Sequence, residues 1–203
     1  MSILLINSEV SNIGSWKKIL NDDKQEFVLS SNKNLNKDKI KKIIFPGVGN
    51  FGKVIDNIKK NKLDHLLLEL LLNEKIKYLG VCVGMQILFE NSEESNIKGL
   101  GIIKGSVKKL NFKNLTSTHN GWNNISIINK NSKIINNIDQ KKDFYFNHSY
   151  FCDVENKANI ISTLKGNKRI STIIEQKNIY GTQFHPEKSH TEGLKLIKSF
   201  LST

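Results

Sequence analysis

Residues 77–79, Lys77-Tyr78-Leu79, read as the end of a buried strand and run directly into Gly80-Val81-Cys82-Val83-Gly84-Met85-Gln86. This junction constrains the fold more tightly than any other part of the chain. Ile87-Leu88-Phe89-Glu90 reads as a helix, which places Cys82 on a sharp turn between a strand and a helix. A nucleophile in that position needs glycine two residues before and two residues after it, because a side chain there would clash within the turn. The amino end of the following helix is expected to favour the thiolate.

A strand that feeds a helix in this way belongs to an α/β architecture, and the first half of the chain alternates accordingly. Strands are predicted at residues 3–6, 27–29 and 42–45, and helices at 13–20 and 63–72. The second half changes character. Short β-rich runs at 106–110, 124–128, 144–147, 160–164 and 171–175 are broken by Asn, Gly, Lys and Ser, and predict an antiparallel flank on the α/β core. Residues 177–184 return to a core strand, and 192–201 read as an amphipathic closing helix. With 203 residues, no repeat and no linker, the chain is expected to form one domain over residues 1–203. In open α/β sheets, ligands bind at the carboxyl ends of the strands. The turn at Pro46, Cys82 and His185 each follow a predicted core strand, so three parts of a site are expected to converge there.

The second chemical signal is Tyr180-Gly181-Thr182-Gln183-Phe184-His185-Pro186-Glu187. A cysteine nucleophile needs a histidine to take its proton, and that histidine needs a third group to orient it. Glu187 lies two residues beyond His185, so in extended chain both side chains point to one side. Cys82, His185 and Glu187 therefore form a candidate triad. Cys152, the other cysteine, is expected to be an inert core or loop residue, and His65 a structural one. No His or Cys spacing suggests a metal site, and none is expected.

The net charge of +12 does not single out nucleic acid. Arg169 is the only arginine, and the bidentate guanidinium is what reads phosphates and bases. The lysine excess suits solubility and the steering of anions. No apolar run approaches a membrane span of ~18 residues. The start, Met1-Ser2-Ile3-Leu4-Leu5-Ile6, has no basic leader, so a cytoplasmic protein is expected.

Several further segments, in order, give the chain a resemblance to the class I (triad-type) glutamine amidotransferases, and specifically to the glutaminase subunits of imidazole glycerol phosphate synthase. They are Pro46-Gly47-Val48-Gly49, Gly80 through Gln86, His119-Asn120-Gly121-Trp122-Asn123, Tyr145-Phe146-Asn147-His148-Ser149-Tyr150, and Gln183 through Ser189. The resemblance implies a flavodoxin-like, mostly parallel sheet flanked by helices. It implies that Cys82 attacks the side-chain carbonyl of L-glutamine, with His185 and Glu187 completing the triad. The oxyanion would be held by the Val83 amide and by the reorienting turn at Val48 and Gly49. Glutamine would be gripped by Gln86 and by the backbone around His148, Ser149 and Tyr150, His148 closing the site. Asn12, Trp122 and Lys188 match positions at or near a subunit interface.

The same resemblance implies a partner, since ammonia is useful only when delivered to a second active site. The few residues after His190 are not expected to supply a synthase domain. The partner expected is a separate (βα)8-barrel cyclase, which combines ammonia with a phosphoribulosyl formimino aminoimidazole carboxamide nucleotide. Its products are imidazole glycerol phosphate and the aminoimidazole carboxamide ribotide, and no cofactor is expected. Two departures bear on the partner: Glu9-Val10-Ser11 replaces a glycine-containing opening, and Thr118 replaces the proline before His119. They leave open a paralogous glutaminase that supplies ammonia for amidating a surface sugar. A reading of another class, an inactive regulatory or scaffold subunit, would have lost a triad residue.

Overall fold

The computed structural model describes residues 2–8, 12–112 and 117–203. Glu9, Val10 and Ser11 lie outside them. The first half builds β1 (Ser2–Leu5), α1 (Ile13–Asp22), β2 (Phe27–Leu29), β3 (Ile40–Phe45), α2 (Phe51–Lys60), α3 (Leu63–Leu71) and β4 (Lys77–Val81). After Cys82 come α4 (Val83–Gln86), β5 (Phe89–Ser92), β6 (Ile103–Lys109), β7 (His119–Asn123), β8 (Ile125–Ile127), β9 (Phe144–His148) and β10 (Tyr150–Val154). The chain closes with β11 (Ile160–Leu164), β12 (Asn167–Gln176), β13 (Ile179–Thr182) and α5 (His190–Ser202).

Eight strands form the central sheet in the order β2-β1-β3-β4-β13-β12-β11-β8. The pairs from β2 through β13 are parallel, and those from β13 through β8 antiparallel. The parallel strands are short apolar runs, as expected where both faces are covered. Leu4, Ile43, Phe45 and Tyr78 pack on one face with α2 and α3. Ile3, Leu5, Ile44 and Leu79 pack on the other with α1 and α5. This is the predicted α/β class with an antiparallel flank.

The flank divides in a way the local pattern did not specify. Residues 125–127, 160–164 and 167–176 extend the main sheet, whereas β6 and β10 join β5 in a three-stranded sheet, and β7 pairs with β9 in a two-stranded ribbon. The helix expected at 87–90 is not formed. The elbow is followed by a single turn, α4, and Phe89 already opens β5, pairing with Ile103. A short apolar run such as Ile87-Leu88-Phe89 suits either state, and pairing with a strand formed later in the chain decides it. Helix α2 was also missed, although Phe51, Val54, Ile55 and Ile58 form its buried stripe at helical spacing. His65, expected to be structural, stands exposed on α3. Among the described residues, no helix is long and apolar enough to cross a membrane.

Candidate active site

The ends of β3, β4 and β13 lie side by side, because these strands are neighbours in the sheet. Pro46, Cys82 and the segment leading to His185 emerge there, as the strand positions predicted. Cys82 has φ 51° and ψ −111°, a strained combination for a residue with a side chain. Close packing imposes it. A Cβ on Gly80 would collide with the Gly84 carbonyl, and one on Gly84 with the Phe45 carbonyl at the end of β3. The glycines thus allow the turn to fold back onto its own strand and onto the neighbouring one. Because α4 is only one turn long, its dipole is a small influence on the sulfur. The close polar neighbours of the Cys82 sulfur are the side chains of His185 and Gln183 and the Asn147 carbonyl.

His185 is one of them. Its Nδ1 lies 2.9 Å from Glu187 Oε1, and both side chains are almost fully buried. Burial opposes a charge on the imidazole, but hydrogen bonding to Cys82 and to Glu187, with the charges of both, outweighs it and pushes the His185 pKa up to about 10. The serine after the triad segment fixes the backbone: Ser189 Oγ donates to the His185 carbonyl at 2.6 Å and accepts the Tyr145 amide at 3.0 Å. The His185 amide in turn donates to the Tyr145 carbonyl at 2.8 Å.

A cleft of about 210 Å³ opens beside Cys82, lined by Val48, Gly49, Gln86, Glu94, His148, Ser149 and Tyr150 among others. Val48 and Gly49, two of the three residues expected at an oxyanion hole, therefore share one cavity with the expected glutamine grip, while Val83 is not part of its lining. Val83 follows Cys82 directly and opens α4, and the first amides of a helix have no partner within it. Gly49 has φ 104°, a conformation that favours glycine. Gln86 Nε2 donates to the Tyr150 carbonyl at 2.9 Å and to Gln183 Oε1 at 3.4 Å. Glu94 was not anticipated; its Oε2 accepts the Phe51 amide at 2.7 Å and the residue lines the cleft.

His148 is a wall, not a proton shuttle. Its Nδ1 donates to the Tyr150 carbonyl at 2.8 Å, which leaves Nε2 to accept from His119 Nδ1 at 3.2 Å. Burial pushes the His148 pKa down to about 3, against the pull of the Tyr150 carbonyl and aided by the positive charges of His119 and His185. Thr118 Oγ1 lies 2.8 Å from Ser149 Oγ, so the substituted position touches the rim of the cleft. Cys152 is fully buried on β10, and burial holds its thiol well above the ordinary range. Among the described residues, no three His, Cys, Asp or Glu side chains are grouped to hold a metal ion.

Two of the three interface candidates, Trp122 and Lys188, lie beside His190. Its ring stacks on Trp122 with centroids 4.7 Å apart and planes 4° from parallel. One groove beside His190 is lined by Ser15 and Lys188, another by Trp122 and Lys142. Asn12 precedes α1 and its Nδ2 donates to Ser15 Oγ at 3.1 Å. Lys188 lies over the Tyr145 ring at 5.6 Å. Even with the His190 ring against it, Trp122 remains 45% exposed.

A buried cysteine beside a buried histidine–carboxylate pair, with a cleft opening next to the sulfur, is an arrangement suited to nucleophilic thiol chemistry. The chain belongs to the class-I glutamine amidotransferase family, whose model matches residues 6–203. Among its relatives, the imidazole glycerol phosphate synthase subunit HisH of Leptospira borgpetersenii is 43% identical over 165 residues, covering 79% of this chain and 80% of that protein. Subunit HisH 2 of Methanococcus maripaludis is 36% identical over 200 residues, covering 98% of both. The structure of PurLQS from Thermotoga maritima superposes with a TM-score of 0.75 over 99% of this chain and 97% of that one; at 18% identity it shares the fold.

Proposed function

We propose that this chain is the glutaminase subunit of an imidazole glycerol phosphate synthase, acting in histidine biosynthesis as a single cytoplasmic domain paired with a (βα)8 cyclase. The observation that carries the chemistry is the buried His185–Glu187 pair set against Cys82 at the mouth of the cleft. The particular synthase is supported by the likeness to HisH subunits over nearly the full chain.

L-Glutamine enters the cleft with its side-chain amide over Cys82, held by Gln86, Ser149 and Tyr150, while the Glu94 carboxylate meets its ammonium group. The Cys82 sulfur adds to the amide carbon. The oxyanion is received by the Val83 amide and by the turn at Val48 and Gly49, donors that act on charge present only in the transition state. His185 delivers its proton to the departing nitrogen, so the C–N bond breaks as ammonia leaves and a γ-glutamyl thioester remains. Water then attacks the thioester with His185 as base, releasing glutamate and returning the thiolate–imidazolium pair. Glu187 keeps the imidazole oriented throughout. Ammonia passes to the partner docked around Asn12, Trp122 and Lys188.

The test is glutamate release by the purified chain mixed with the histidine-pathway cyclase of the same organism, with and without the cyclase's nucleotide. Strong stimulation by both together is expected. A chain that forms no complex and is not stimulated, yet keeps a reactive Cys82, would point instead to the sugar-amidating partner.

A further inference from the structure

We infer that Gln183 is a further catalytic residue of this centre, its side-chain amide donating a hydrogen bond to the Cys82 sulfur and stabilising it as the attacking thiolate. The inference deepens the thiol chemistry proposed above and rests on it.

The topology puts Gln183 there. Strand β13 runs parallel to β4 with Thr182 opposite Val81, so the next residues, Gln183 and Cys82, come level at the carboxyl edge of the sheet. The Cys82 amide donates to the Thr182 carbonyl at 2.7 Å, which locks this register across the two turns. Beyond Thr182 the chain bends through Gln183 and Phe184 to His185 and turns once at Pro186–Lys188, so Gln183, His185 and Glu187 follow one another along one short segment as amide donor, base and orienting carboxylate.

The contacts give the amide a fixed direction. Gln183 Nε2 donates to Cys82 Sγ at 3.7 Å. Its Oε1 accepts from Gln86 Nε2 at 3.4 Å, and Gln86 Nε2 also donates to the Tyr150 carbonyl. The oxygen of Gln183 is thus turned toward Gln86 and its nitrogen toward the sulfur. Gln183 is fully buried, where a hydrogen bond to a charged partner is worth more than in water. In the thiol form the sulfur can give its own proton toward the Asn147 carbonyl, 3.8 Å away, but as thiolate it has only acceptor capacity. The Gln183 donor therefore favours the thiolate selectively, both before attack and when sulfur leaves the thioester.

The test reads the thiol without glutamine or partner. The rate at which iodoacetamide alkylates Cys82 is measured against pH by peptide mapping in the wild type, in Gln183→Met and in Gln183→Glu, each first checked for cooperative thermal unfolding. Methionine fills the space without an N–H, and glutamate keeps the shape while replacing the donor with an acceptor. The acid-side midpoint of alkylation should rise by about one pH unit in Gln183→Met, a roughly tenfold loss of thiolate below the midpoint, and by more in Gln183→Glu. Unchanged midpoints in the folded variants would overturn the assignment. The wild type alone gives a second reading that needs no variant: the Gln183 side-chain 15N–1H resonances should shift with the midpoint of Cys82 alkylation, and resonances that ignore it would also overturn the assignment. A chain with the expected alkylation profile but no glutamate release would defeat the glutaminase reading and leave Gln183 in its role. Glutamine hydrolysis with unmoved midpoints would do the reverse.

Discussion

Cys82 holds a positive φ that costs an L-residue on the order of 1–3 kcal/mol, and Gly80 and Gly84 supply the close contacts that keep it there. The return on that strain is a sulfur facing His185, Gln183 and the cleft together. At His185 the consequence is a pH dependence with a definite sign. Its folded pKa of about 10 lies above the ordinary 6.5, so the stability contributed by its proton is complete below about pH 6.5 and is lost as pH rises through about 10. In Glu187→Gln the anion that supports the proton is gone. Urea unfolding at stepped pH should show this variant less stable than the wild type near pH 6, with the gap closing toward pH 10; a gap that stays constant or widens would contradict the account. His185 and Glu187 were legible as a pair from their spacing of two, although the chain there is not extended: β13 ends at Thr182, and it is the single 3-10 turn at Pro186–Lys188 that brings Glu187 Oε1 to His185 Nδ1. Gln183 was not singled out in the sequence; the parallel pairing of β13 with β4, which sets it level with Cys82, is what reveals it. Glu94 gave no signal either, since it reaches the cleft only through the loop after β5.

The elements around the elbow show where local sequence stops deciding. The parallel strands were legible as short apolar runs separated by helical segments, and their ends converged as expected. The single turn of α4 and the strand that follows it depend on β6, which forms later in the chain. Likewise, nothing within 160–176 distinguishes an extension of the main sheet from a separate one. Helix α2 was legible in principle, through its buried stripe and its cap: Asn50 Oδ1 accepts the Lys53 amide at 3.1 Å. That cap directly follows the Val48–Gly49 turn. Asn50→Ala should lower the unfolding free energy by about 1 kcal/mol, read as a shifted urea midpoint at constant slope.

For the whole molecule, the strand order is what makes the site. Placing β3, β4 and β13 next to one another brings residues 46, 82 and 185 to one edge although more than a hundred positions separate the first from the last. The ribbon of β7 and β9 then spans from the cleft wall at His148 to the exposed Trp122. Aromatic residues of this kind commonly dominate an interface. Trp122→Ala should weaken binding of the proposed cyclase partner at least about tenfold by titration calorimetry, with the folded chain retained. The most direct measurement is mass spectrometry of the Cys82 peptide after rapid acid quench of the complex turning over L-glutamine. A γ-glutamyl adduct on Cys82, absent in Cys82→Ala together with glutamate release, is the predicted result. Glutamate release that persists in Cys82→Ala would contradict the account at its centre.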